Sequence, residues 1–188
     1  MRVPRPPLGI KALVTAVALF LMPASVLCQE DFGFMPKGGK TLLLELTSKP
    51  AELREIGSAR RNEAEWHEFI AGRKTSMTER DVNELAAYLA INMPVPEDAL
   101  AKAQDSAALA AALPADGRDL AWNQCQSCHS LFSGYLMQNR DAQGWRSIFL
   151  SPFHRQIKMT AQERETFARY AAFSMPMKVE DVPADLRF

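Results

Sequence analysis

Cys125-Gln126-Ser127-Cys128-His129 places two thiols three positions apart and an imidazole directly after the second. This is the C-x-x-C-H pattern by which c-type haem is attached. Each thiol adds across a vinyl group of the haem, and the adjoining His129 becomes the proximal ligand of its iron. One covalently bound haem c is therefore expected, with Cys125, Cys128 and His129 as its binding residues. Two other chemistries use paired thiols. A thioredoxin-like dithiol follows a strand and opens a helix, and a zinc site needs further Cys or His at close spacing. Neither context surrounds the motif, since the other cysteine is Cys28 and the other histidines are His67 and His154.

Haem attachment of this kind takes place outside the cytoplasm, and the amino terminus reads as an export signal. Arg2, Arg5 and Lys11 precede an apolar run from Ala12 to Met22, the order of a signal peptide. Val26 and Cys28 satisfy the small-residue rule for cleavage before Gln29, which makes residues 1–28 the signal peptide and the periplasm the expected location. Two alternatives stay open. Cys28 is a candidate lipid-modified first residue, although Leu27 suits that processing poorly, and Ala12 to Leu27 is a candidate uncleaved anchor, although short for a span. No other segment has the length and apolarity to cross a membrane.

Removing Arg2, Arg5 and Lys11 from 22 basic residues leaves 19 against 22 acidic ones. A slightly acidic chain lacks the concentrated basic face that nucleic acid requires, so that class of partner is excluded. With Cys28 removed and two thiols committed to haem, no disulfide is expected. Packing and the haem must hold the fold.

An internal repeat organises the remainder. Met77-Thr78, Tyr88 and Met93-Pro94 recur 82 positions later as Met159-Thr160, Tyr170 and Met175-Pro176. Trp66 recurs as Trp145 at an offset of 79, and Gly39-x-x-Leu42 recurs as Gly117-x-x-Leu120 at 78. The spacing predicts an all-α chain of two small helical units, 29–96 and 115–188, joined by a helical linker, 97–114. In the second, Leu120 and Trp122 lie on a short helix leading into the motif. The polar stretch from Gln138 to Gln143 follows. Trp145, Ile148 and Phe149 then have helical spacing up to Pro152. Thr160 and Glu163 form a capping box, with Met159 as the staple, for a last helix whose inner face is Phe167, Tyr170, Ala171 and Ser174. Ala99 to Leu113 reads as one helix bounded by prolines, and the tail after Pro176 as extended chain packed on the surface.

At this point the chain resembles a class I cytochrome c. Gly117-x-x-Leu120, Cys125-x-x-Cys128-His129, a middle helix led by Trp145 and a last helix carrying Phe167 and Tyr170 follow that family's order, over roughly Ala115 to Asp185. The resemblance implies that the first and last helices cross, with Gly117 and Leu120 meeting the Phe167 to Tyr170 face. The first unit departs from the pattern. Thr47-Ser48-Lys49-Pro50-Ala51 stands where the haem motif belongs, so residues 29–96 read as a haem-free cytochrome-like unit whose empty space Leu42, Leu43, Leu44 and Leu46 would fill.

The resemblance also implies a sixth iron ligand in the loop before the last helix, where His154 and Met159 are the candidates. His154 is preferred because the first unit has no histidine there, whereas Met77 matches Met159 in a unit with no haem. Met175, Met177 and an open site stay as further possibilities. An imidazole lowers the reduction potential relative to a thioether, while burial among Leu131, Phe132, Phe149 and Phe153 raises it. Arg140 and Arg155 are the first candidates for propionate contact.

The function expected is single-electron transfer by a periplasmic cytochrome, from a dehydrogenase to a downstream cytochrome or oxidase, rather than enzymatic catalysis. The alternatives are a haem enzyme or small-ligand sensor with a labile distal site, and a docking subunit of a dehydrogenase complex.

Overall fold

The computed structural model describes residues 33–73, 76–103, 105–125 and 137–186, and the export-signal reading of residues 1–28 lies outside them. The described residues are helical and contain no strand, as the spacing of the sequence predicts. The helices are α1 (Gly39–Leu46), α2 (Pro50–Ser58), α3 (Glu63–Ala71), α4 (Glu79–Asn92), α5 (Glu97–Lys102), α6 (Ser106–Ala112), α7 (Gly117–Leu120), α8 (Ala142–Ser147) and α9 (Ala161–Ser174). No helix among the described residues is long and apolar enough to cross a membrane.

Two long helices carry the architecture. Thr78 caps α4 in a reciprocal box with Asp81, and Thr160 caps α9 in the same way with Glu163. Each hydroxyl accepts an otherwise orphaned backbone N–H, and each carboxylate reaches back to the cap N–H. Both helices run 14 residues and stop immediately before a Met-Pro pair, because the residue before proline is driven out of the helical region. Met93-Pro94 and Met175-Pro176 are both cis. α4 packs on α1 and α3, α9 packs on α7 and α8, and α4 and α9 pack on each other.

The packing divides into two apolar clusters. One is built on Leu42, Leu43, Leu53, Ile56, Trp66, Ile70, Leu85 and Leu89, the other on Leu120, Trp145, Phe149, Met159, Phe167 and Tyr170. Burying each large side chain contributes on the order of 1.5–3 kcal/mol. Residues 78 apart exchange places between the clusters. Met35 belongs to the second cluster and Leu113 to the first. The hydroxyls follow the same exchange, with Tyr170 donating to the Pro36 carbonyl at 2.8 Å and Tyr88 to the Pro114 carbonyl at 2.7 Å.

Two expectations are corrected. Residues 99–113 form two helices rather than one, because Asp105 caps α6 by accepting from the Ala108 N–H and so ends the α5 pattern. Their Leu100, Leu109 and Leu113 are buried in the first cluster. The carboxyl tail is not surface-extended: it makes tight turns at Val179–Asp181 and Ala184–Leu186, and Val182 is buried in the second cluster. Apolar Val182 thereby gains a core site that an extended surface strand would deny it.

Candidate functional site

The segment that leads to the C-x-x-C-H motif is held at its start by a close crossing of helices. A Cβ on Gly117 would lie 2.0 Å from the Tyr170 Cβ, far inside contact distance, so α7 can sit on α9 only with glycine there. The first cluster repeats the arrangement, with a Cβ on Gly39 falling 2.1 Å from the Tyr88 Cβ. Gly117 thus meets the face of the last helix that the resemblance implies.

Asp116 fixes the same crossing electrostatically. It is fully buried and caps α7 by accepting the Arg118 and Asp119 N–H groups, both at 3.0 Å. Its other oxygen accepts the Lys40 and Thr41 N–H groups of α1 at 3.1 and 3.3 Å. One carboxylate therefore caps two helices, at the positive ends of both dipoles. Gly38, the cap residue of α1, makes room for it, since a Cβ there would fall 2.2 Å from the carboxyl carbon. Glu84 of α4, itself 2% exposed, accepts the remaining Gly39 N–H at 3.2 Å.

Beyond α7 the backbone widens into a π-helical turn, Ala121–Cys125. Trp122 is in this turn and meets Phe34 edge to face, with centroids 6.5 Å apart. Cys125 is half-buried and packs on the second apolar cluster. Cys128 and His129, with Leu131 and Phe132, lie outside the described residues.

The candidate distal ligands divide by environment. Met159 is 7% exposed and belongs to the same cluster as Cys125, as do Met175 and Met177. Trp145 and Phe149 pack edge-on against Phe167 in that cluster. His154 is half-buried in a tight turn, His154–Gln156. Its Nδ1 is 3.2 Å from the Ile148 carbonyl oxygen. A carbonyl only accepts, so Nδ1 carries the proton in this contact, and the neutral ring with that proton is the tautomer that offers Nε2 to a metal. His67 is exposed on α3. Phe153 does not provide the burial expected of it: it is 87% exposed, because the turn after Pro152 points it away from the cluster that takes in Phe149.

The first cluster is filled without cysteine over residues 47–51, the stretch that the repeat in the sequence sets against the C-x-x-C-H motif. α1 ends at Leu46, Pro50 opens α2, and Leu53 and Ile56 are buried beside Leu42 and Leu43. Leu44 and Leu46 pack only partly, so α2 shares in the filling that the sequence assigned to the leucine run alone. The basic residues near the second cluster are largely committed within the chain. Arg146 donates to both oxygens of Glu165, Arg164 to the Arg155 and Ile157 carbonyls, and Arg169 to Glu63. Arg140 lies over Trp145, and Arg155 donates to the Leu150 carbonyl at 3.0 Å.

Sequence reasoning missed Asp116 and Glu84. An acid before Gly117 reads as an ordinary helix cap, and an acid inside a charged helix reads as a solvated face. Among the described residues, no three His, Cys, Asp or Glu side chains gather closely enough to hold a metal ion. No protein-family model, no curated protein and no solved structure matches the chain.

Proposed function

We propose that this chain is an exported monohaem cytochrome of the class I type that transfers single electrons, with haem c on Cys125, Cys128 and His129. The observation that carries the reading is the position of Cys125, at the end of a turn launched from the glycine crossing and packed on a cluster of thioethers and aromatic rings. That environment fits the group. Bound there, the haem would supply a one-electron couple. The chain's own residues do the rest: Gly117 and Asp116 fix where α7 begins, Trp145, Phe149 and Phe167 keep water from the cluster on which Cys125 packs, and the Ile148 carbonyl holds the proton on Nδ1 of His154. His154 is the proposed sixth ligand and Met159 the alternative. In this reading the first cluster is a haem-free unit of the same kind, bracing the second through α4 and α9. Electrons would come from a periplasmic dehydrogenase and leave to another cytochrome or an oxidase.

The test is the optical spectrum of the exported, haem-loaded protein, ferric and ferrous, with and without carbon monoxide. A low-spin spectrum indifferent to carbon monoxide is expected. A high-spin ferric form or rapid carbon monoxide binding would overturn the carrier reading in favour of ligand binding or catalysis, and failure to attach haem would overturn both.

A further inference from the structure

The offset between the halves grows from 79 at Trp66 and Trp145 to 82 at Met77 and Met159, so the second half carries three extra residues between those points. The lengthened stretch includes the tight turn His154–Gln156. Each added residue widens what a loop samples, and holding one of its side chains in place then costs more entropy. The stretch is tied down from within and from without. Inside it, the Arg155 N–H donates to the Ser151 carbonyl at 2.9 Å and the Ile157 N–H to the His154 carbonyl at 3.2 Å. From α9, Nη2 of Arg164 donates to the carbonyls of Arg155 and Ile157 at 3.3 and 3.2 Å, which fastens the exit of the turn to the long helix.

Arginine is a costly choice at this position of α9. Eighty-two residues earlier stands Val82, which packs on the first cluster. The guanidinium of Arg164 lies 5.0 Å from the centroid of the Phe149 ring, and its Nε is buried with no hydrogen-bond partner among the described residues. Buried polar atoms are rarely left unmatched, and a valine would leave none. What arginine adds and valine cannot is the pair of charge-assisted bonds to the loop. The added length and the arginine occur together in the second half, and the first half has neither.

Resting on the reading of this half as the haem-bearing one, we propose that Arg164 is the positioning residue of the distal loop: it clamps the His154 turn to α9 and so keeps the imidazole in place as sixth ligand. It acts through the backbone of the loop. A ligand carried by a loop leaves when the loop opens, and every bond that the opening must break makes the event rarer. The Ile148 carbonyl holds the ring through Nδ1, and Arg164 holds the backbone that bears it. Met159 depends less on the clamp, since it is buried in the second cluster on its own account. An effect of Arg164 on the sixth ligand therefore also separates His154 from Met159.

The test uses the full exported, haem-loaded chain and three variants. Arg164→Val installs the side chain of the matching position, Arg164→Lys keeps the charge on a shorter reach, and Arg146→Gln removes an exposed ion pair with Glu165 as a control. Carbon monoxide binding to the ferrous parent should be slow, because the sixth ligand must leave first. In Arg164→Val it should be about tenfold faster or more, since two charge-assisted bonds no longer oppose opening of the loop. Arg164→Lys should fall between, and Arg146→Gln should match the parent. Hydrogen exchange at the Ile157 amide should accelerate in Arg164→Val by a similar factor, with the urea midpoint close to the parent's. On a low-spin parent, an unchanged rate or an unchanged Ile157 exchange in Arg164→Val would overturn the clamp and leave the carrier reading standing, as would a gain in rate that Arg146→Gln reproduces. A parent that is high-spin or binds carbon monoxide at once would overturn the carrier reading and the clamp together.

Discussion

Replacing Asp116 by alanine should cost far more than any other single helix cap among the described residues. Its carboxylate accepts four N–H groups from two helices at full burial. Losing an N-cap costs about 0.5–2 kcal/mol per helix, so two helices give roughly 1–4 kcal/mol. Burial places the loss toward the upper end, since a buried donor left without an acceptor costs about 1–3 kcal/mol. An expected loss of roughly 3 kcal/mol is a large part of the 5–15 kcal/mol that holds a typical domain together. Urea denaturation measures it. With a slope of about 1–3 kcal/mol per molar, the midpoint should fall by about 1–3 M. Asp105→Ala and Asp141→Ala serve as internal standards, each removing an exposed cap from one helix, α6 or α8, at a cost of about 1 kcal/mol. Asp116→Asn should fall between, because its amide oxygen can still accept from one helix while its NH2 faces the donors of the other. Equal losses for Asp116→Ala and Asp141→Ala would refute the argument that one carboxylate serves both helices.

Gly117→Ala and Gly39→Ala each drive a methyl group into a tyrosine Cβ on the long helix beneath. Each should cost at least the 1–3 kcal/mol typical of overpacking, measured by thermal melting, and a cost below about 0.5 kcal/mol would sink the close-crossing account. Glu84 binds its proton more tightly in the folded chain, at about 8, than at its ordinary value of 4.5. Its contribution to stability is therefore complete below that ordinary value and is lost progressively as pH rises to about 8. At about 1.4 kcal/mol per pH unit, roughly 2–3 kcal/mol should disappear between about pH 5 and about pH 7. Glu84→Gln should abolish that slope in urea titrations, and a slope identical to the parent chain's would count against the buried acid. Under the cytochrome reading, His154→Ala should convert a low-spin ferric haem to one that binds carbon monoxide readily when reduced, whereas Met159→Leu should leave the spectrum low-spin. The reverse pattern would transfer the ligand to Met159.

Part of this architecture is written locally. Thr160 and Glu163 announce the start of α9 three residues apart, and Pro176 announces its end, because capping and proline sterics act over a few residues. The recurrence of Gly, Trp, Tyr and Met-Pro at near-constant offsets marks the matching elements for the same reason. Other features are illegible because they depend on what a distant segment does. Glu84 sits in a charged stretch, Glu79-Arg80-Asp81 with Asn83 and Glu84, that reads as a solvated face. Its burial comes from α1 and α9 closing over α4. Phe153 looks like a core residue by type, yet the turn after Pro152 exposes it.

The sequence alone determined the chemistry available, two thiols and an imidazole at fixed spacing, and the all-α character, because both depend on neighbours within a helical turn or two. Only the tertiary structure decided that Met35 and Leu113 cross to each other's cluster, that Tyr88 and Tyr170 bond across to Pro114 and Pro36, and that Asp116 caps α1 as well as α7. Those contacts join residues about 26 to 134 positions apart. No local preference encodes them, and they arise where two glycines let short helices approach long ones closely enough for one buried carboxylate to satisfy both.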